Sequence, residues 1–173
     1  MSREKPRLVQ KMFKIYADIM GRIPPKWDIQ ILPRGDDIVI SYPKTTDMTN
    51  VDAISNALDC SLKQIENRKK LSARLAKDRL PEIPYRITLD YQTCYEIEES
   101  DELNSGGPNW THFRKIGSKS PENIVAVGEE LYKVVKSFPL LFQKYKLESI
   151  GKYLNGDKTP YSIYQLTRHP TSD

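Results

Sequence analysis

The chain has 173 residues, of which 38% are hydrophobic and 29% are charged, and its formal net charge is +4. This length and balance are those of one globular domain, so we predict a single domain over residues 1–173. No apolar run approaches the ~20 residues that span a bilayer, so we expect a soluble protein that does not bind a membrane. The two cysteines, Cys60 and Cys94, lack the spacing of zinc ligands or of a disulfide framework, and we therefore expect a cytoplasmic protein.

The first two predicted elements are a helix and a hairpin. Apolar residues recur every three or four positions over residues 8–23, which indicates an amphipathic helix that Pro24 ends. Two β-branched runs follow, Ile29–Leu32 and Ile38–Tyr42, and Pro-Arg-Gly-Asp-Asp lies between them. This pattern predicts a hairpin with acidic residues at its tip. A carboxylate held at a tight turn can bind Mg²⁺, although such a turn is more often simply solvated.

The rest of the sequence alternates between helical and strand patterns. A helical stripe over residues 51–75 predicts one long second helix, whose outer face carries lysines and arginines that we interpret as solvated. Period-two patterning from Tyr85 to Tyr91, with Thr93–Ile97 returning, predicts a second hairpin. The remaining predicted elements are a helix over 109–116, a strand over 124–127, a helix over 129–137 and a hairpin of strands 146–154 and 161–166.

This order of elements predicts an α+β fold in which helices cover one mostly antiparallel sheet. A ferredoxin-like sheet of the βαββαβ type begins with a strand, whereas this sequence begins with a helix. If that architecture applies, its first strand has no counterpart here.

The motifs, taken in order, resemble the catalytic domain of class III adenylate and guanylate cyclases over residues 8–166. The segment W-D-I-Q-I-L-P-R-G-D-D-I-V-I-S-Y-P resembles the second and third strands of that family, and P-Y-R-I-T-L-D-Y-Q-T-C-Y resembles a later strand. The segment G-P-N-W-T-H-F-R-K-I resembles its Asn-x-x-x-Arg helix, and S-P-E-N-I-V-A-V-G-E-E-L-Y-K-V-V resembles its closing strand and helix. The resemblance implies a ferredoxin-like nucleotide-cyclase fold, truncated at its N-terminus and degenerate.

The resemblance also implies a set of site residues. In the family, two Asp residues hold two magnesium ions that activate the ribose 3′-hydroxyl. One of these two metal-binding Asp positions falls on Asp36. The resemblance also assigns nucleotide binding to Gly35, next to Asp36, and to Leu32, which occupies the position of the family's base-selecting Lys. The ribose-binding Asn and phosphate-binding Arg fall on Thr111 and Lys115, which keep a hydroxyl and a positive charge but lose the amide and the guanidinium fork. Mg²⁺ or Mn²⁺ is therefore expected to bind weakly.

Other residues fit these roles less well. Asp18 is too close to the next predicted strand to replace the other metal-binding Asp, because a parallel crossover needs a dozen or more residues. Asn109 and Arg114 restore the family's residue types, but a spacing of five puts them about 140° apart around a helix. We interpret Trp110 and His112 as packing and surface residues.

Three functions remain open at this point. We favour a catalytically impaired cyclase-like domain that binds a nucleoside triphosphate or acts in signalling, as a homodimer or with a cyclase-like partner, with the isolated chain inactive. The second is an active adenylate- or guanylate-type cyclase, alone or with a partner subunit. The third is a ferredoxin-like nucleic-acid-binding domain that uses the basic face of the second helix, although exposed aromatic residues suited to stacking bases are not evident.

Overall fold

The computed structural model describes residues 4–20, 30–34, 37–41, 51–91, 110–156 and 158–170. The chain divides into two compact units, Met1–Tyr85 and Arg86–Asp173. The single domain expected from the sequence stays a prediction. No helix in the described ranges combines the length and apolarity needed to cross a membrane.

The first unit contains the predicted opening helix and acidic hairpin. Helix α1 (Glu4–Met20) is followed by strands β1 (Gln30–Arg34) and β2 (Asp37–Ser41). The strands pair antiparallel, with Gln30 opposite Ser41 and Arg34 opposite Asp37, which confirms the hairpin. They extend further toward the tip than predicted, since Arg34 and Asp37 belong to the strands. Gly35 and Asp36 lie outside the described residues.

The single long second helix predicted from the sequence is wrong, because two helices occupy this stretch. Helix α2 (Val51–Glu66) and helix α3 (Arg68–Lys77) are separated by Asn67, whose ψ of −6° departs from helical geometry. Helical hydrogen bonds still run through this residue: its N–H donates to the Lys63 carbonyl at 3.0 Å and its carbonyl accepts from the Leu71 N–H at 3.0 Å. Asparagine is a poor residue for a helix interior, because its amide competes for backbone groups.

Helices α1 and α3 pack together around an apolar cluster. The ring of Tyr85 meets that of Tyr16 edge to face at 5.8 Å, and its hydroxyl donates to the Gln64 carbonyl at 2.8 Å. Tyr85, the last residue of the first unit, is thereby hydrogen-bonded to the end of α2. The buried members of the cluster are Ile15, Met20, Leu71, Leu75 and Leu80.

The second unit is a four-stranded sheet with helices. Its sheet has the order β3-β4-β6-β5, in which β3 and β4 are parallel and the other neighbours are antiparallel. The mostly antiparallel α+β fold is therefore confirmed. The elements are β3 (Ile87–Leu89), α4 (Trp110–Lys119), β4 (Val125–Gly128), α5 (Glu129–Ser137), α6 (Pro139–Lys144), β5 (Tyr145–Leu154) and β6 (Pro160–Arg168).

These elements match most of the predicted ones. Helix α5 has the predicted bounds, and β5 and β6 form the predicted hairpin. Helix α6 was not predicted, and β3 is shorter than expected. Its described neighbour is β4. The predicted returning strand Thr93–Ile97 lies outside the described residues, so the second hairpin stays a prediction.

The two faces of this sheet carry different helices. Ile116 of α4 packs with Ala126 and Ile163, whereas Tyr132 of α5 stacks on Tyr164 at 3.9 Å. Because neighbouring residues of a strand point to opposite faces, Ile163 and Tyr164 belong to opposite sides. Helix α4 therefore covers one face and α5 the other, and the site described below lies under α4.

Candidate functional site

The site residues predicted from the sequence fall in both units. Leu32 lies in β1, opposite Val39, and Gly35 and Asp36 are outside the described residues. Thr111 and Lys115 lie one turn apart in α4, as predicted. Across the part of the chain that the structure describes, no group of three or more His, Cys, Asp or Glu side chains is placed to hold a metal ion.

Lys115 contacts an aromatic side chain of the sheet. Its ammonium nitrogen lies 5.8 Å from the centroid of the Tyr153 ring, within the range of a cation–π interaction. Tyr153 is a buried residue of β5, and it lies opposite Tyr161 of β6. The cation that was predicted to meet a phosphate is thus supported by a ring of the sheet.

A buried carboxylate, Asp90, lies directly after β3, and sequence reasoning gave it no role. Its side chain is 0% exposed. The Oδ1 atom accepts the backbone N–H of Tyr91 at 2.9 Å and that of Leu131 at 3.1 Å. The Oδ2 atom accepts the Tyr161 hydroxyl at 2.5 Å and lies 2.5 Å from Nε2 of His112. A buried charge is tolerated when such partners replace water, and both oxygens are satisfied here.

The position of Asp90 follows from the start of helix α5. Gly128 is the N-cap of that helix and has no side chain to accept the first free N–H groups. Asp90, directly after β3, supplies the acceptor at the positive end of the helix dipole. A Cβ on Gly128 would lie 2.4 Å from the Asp90 carboxyl group, so the close approach requires glycine at this position.

His112 connects this carboxylate to Tyr153. A carboxylate only accepts hydrogen bonds, so we assign the ring proton to Nε2, and Nδ1 then accepts the Tyr153 hydroxyl. The imidazole also packs edge to face on Tyr161 at 4.5 Å. With a side chain only 11% exposed, His112 is a buried hydrogen-bonding residue. Its interpretation as a surface residue is wrong.

The two tyrosines of this network stay protonated at neutral pH. Burial, and after it the negative charge of Asp90, raise the pKa of Tyr153 to about 12. Burial also raises the pKa of Tyr161, as does its hydrogen bond to Asp90. Both hydroxyls therefore act as donors rather than as bases. The network (Asp90, His112, Tyr153 and Tyr161) holds α4, α5 and the sheet in fixed positions, and Lys115 lies at its edge.

Part of this network left a signal in the sequence. Tyr153 and Tyr161 flank the predicted Asn155-Gly156 turn at positions that pair across the hairpin. Asp90 ends a period-two run in which it shares a face with Thr88. The parallel pairing of β3 with β4, which brings Asp90 to Gly128, has no local signal.

Comparison with known proteins gives matches among solved structures alone. No family model and no curated protein matches the chain. The catalytic core of a rhodopsin-guanylyl cyclase with converted specificity, in complex with ATPαS, superposes with a TM-score of 0.59 at 15% identity, covering 97% of this chain and 86% of that one. The guanylate cyclase domain of RhGC from Catenaria anguillulae, in complex with GTP, gives a TM-score of 0.59 at 14% identity, covering 98% of this chain and 87% of that one.

Both structures are guanylate cyclase catalytic domains, and each superposes over nearly the whole of this chain. At these identities the likeness concerns the fold, which is the fold that the motif order predicted. The chain therefore has the fold of guanylate cyclase catalytic domains.

Proposed function

We propose that this chain is a cyclase-like domain that binds a nucleoside triphosphate and acts in signalling, and that its cyclase activity is impaired in the isolated chain. The observation that carries the proposal is the pair Thr111 and Lys115, one turn apart on α4, with the Lys115 ammonium held over Tyr153. The two solved guanylate cyclase domains with this fold contain ATPαS and GTP. A fixed ammonium at this point of the fold is suited to contact a phosphate group.

The same pair supports the loss of activity. A lysine offers a single compact charge, whereas a guanidinium binds two phosphate oxygens at once. Stabilising the charge that develops in a transition state depends on donors placed in advance, and removing one such donor costs about 10²–10³ in rate. We expect binding of a triphosphate to be less sensitive to this change, because binding does not depend on the charge that develops in the transition state.

The proposed cation ligand is Asp36, which would hold Mg²⁺ or Mn²⁺ weakly. A bound cation would neutralise phosphate charge. Among the described residues Asp90 does not fit this role, because protein donors already occupy both of its oxygens. One carboxylate leaves the cation mainly on the phosphates, which is why we expect weak binding.

We further propose that the domain works as a dimer, either with itself or with a cyclase-like partner, with residues 108–115 at the seam. Sedimentation at tens of micromolar tests this arrangement, because a dimer of this chain has twice the 20.0 kDa mass of one copy. A single species at the monomer mass would contradict the homodimer. Sedimentation of mixtures with cyclase domains would then test the heterodimer.

The decisive experiment combines calorimetry with an activity assay. The purified chain with Mn²⁺ is expected to bind ATP or GTP and to make no cyclic nucleotide above background from ATP, GTP, CTP or UTP. Lys115→Ala should weaken binding, whereas Lys119→Ala, at the exposed end of the same helix, should leave it unchanged. Metal-dependent turnover that disappears in Asp36→Ala would replace this proposal with an active cyclase. An absence of triphosphate binding would overturn it.

A further inference from the structure

We infer that Tyr153 is a positioning residue that fixes the ammonium of Lys115 where it meets a triphosphate, and that the Asp90–His112 pair holds Tyr153 in place. This inference rests on the proposed function, in which Lys115 contacts phosphate. It adds a role for a strand residue outside the helix that carries Lys115. Tyr153 would act through Lys115 and would not itself touch the nucleotide.

The ring of Tyr153 is held at two places. Its hydroxyl bonds to Nδ1 of His112, and its ring packs against Tyr161 with centroids 5.3 Å apart. His112 is held in turn by the fully buried carboxylate of Asp90. A side chain anchored at both its tip and its face keeps one rotamer, so the ring is a fixed support.

Lys115 gains more from such a support than a shorter side chain would. The lysine side chain has four rotatable bonds, so an unsupported ammonium group samples many positions. The Tyr153 ring attracts the cation at 5.8 Å and limits that sampling. A pre-positioned charge binds a ligand better, since less freedom is lost on binding.

The geometry of α4 makes this support specific. His112 and Lys115 are three residues apart, and residues at this spacing are neighbours on a helix surface. His112 meets the hydroxyl of Tyr153 and Lys115 meets its ring. Two successive contacts from one helix to one tyrosine fix the rotation of α4, and with it the place of the ammonium.

Double-mutant calorimetry tests this inference. Tyr153→Leu removes the ring and is expected to weaken binding of ATP or GTP about two- to fivefold, the size of a partly exposed cation–π contact. Tyr153→Phe keeps the ring and loses the bond to His112, so we expect a smaller loss. In the Lys115→Ala background neither change should weaken binding further. An equal loss in both backgrounds would overturn the inference, because Tyr153 would then act independently of Lys115.

A second measurement needs no nucleotide. The rate at which acetic anhydride modifies Lys115, read by mass spectrometry with Lys119 as internal reference, reports how firmly the ammonium is held. We expect this rate ratio to rise in Tyr153→Leu and, by a smaller factor, in the volume-conserving Tyr153→Phe. An unchanged ratio in both variants would overturn the inference. If the wild type binds no triphosphate, the proposed function fails and this rate still decides whether Tyr153 positions Lys115.

Discussion

The cores of the two units are built in different ways. In the first unit, helices α1 and α3 share an apolar cluster that includes Ile15 and Leu71. In the second unit, the contact between α4 and the sheet includes Asp90, His112 and Tyr161 as well as apolar side chains. Apolar contacts tolerate small shifts, whereas a buried carboxylate requires each of its donors to be in place. We therefore expect the second unit to respond more sharply to single changes.

Removal of the central carboxylate should have the largest effect. Asp90→Ala leaves His112, Tyr161 and the N–H of Leu131 without their acceptor, and we expect a loss of about 3–5 kcal/mol in the free energy of unfolding, measured in urea. The matched control is Glu148→Ala, since that carboxylate is 59% exposed in its ion pair with Lys146. It should cost at most about 1 kcal/mol. Equal costs for the two variants would show that the buried carboxylate of Asp90 does not stabilise the second unit.

Truncation in the apolar cluster of the first unit should come next. Leu71→Ala deletes a side chain that is 1% exposed and leaves a cavity, which costs about 2–5 kcal/mol. Leu140→Ala is the control, because that side chain is 76% exposed and its loss should change stability by less than about 0.5 kcal/mol. Thermal unfolding measures both. A Leu71→Ala loss as small as that of Leu140→Ala would show that this cluster is not a packed core.

A smaller effect is expected where Asp90 approaches the backbone. Gly128→Ala places a methyl group 2.4 Å from the carboxyl group and should cost about 1–3 kcal/mol through overpacking. Gly156→Ala meets no atom within 4 Å and serves as the control. In the Asp90→Ala background the cost of Gly128→Ala should shrink, because the clashing group is gone. Additive costs in urea unfolding would contradict the close approach.

The smallest effect concerns alkaline pH in the first unit. Burial, followed by the neighbouring Tyr16, raises the pKa of Tyr85 from 10.0 to about 12. The folded state then holds this proton more tightly than the unfolded state, so its stabilisation is complete below pH 10 and is lost as pH rises through about 12. Tyr85→Phe removes the titrating group. The difference in unfolding free energy between wild type and Tyr85→Phe should therefore narrow between pH 9 and pH 12, and a constant difference would contradict the raised pKa.

The sequence predicted those elements that are specified by residues close together in the chain. Helix α5 and the β5–β6 hairpin matched because their apolar period and turn residues lie within a few positions of each other. The break at Asn67 was missed because the apolar stripe continues across it, and α6 was missed because six residues are too few to establish a helical period.

The site residues show the same difference between features set by local sequence and features set by pairing of distant strands. The motif spacing placed Thr111 and Lys115 on one helix, as the structure has them. The role of Asp90 could not be predicted, because it depends on the pairing of β3 with β4. These two strands are separated in the sequence by helix α4. The acidic turn at Asp36 stays a prediction, because it lies outside the described residues.

The parallel pairing of β3 with β4 has a consequence for the order of folding. Strands β5 and β6 are neighbours in the chain and can form a hairpin early, whereas β3 and β4 are far apart in the chain and meet only through a long-range contact. We expect the contacts of Asp90 to be absent from the folding transition state, with φ-values near zero. Asp90→Asn would then speed unfolding and leave the refolding rate nearly unchanged, as stopped-flow kinetics can measure. The contact between Asp90 and α4, the helix that carries Lys115, would thus form after the β5–β6 hairpin.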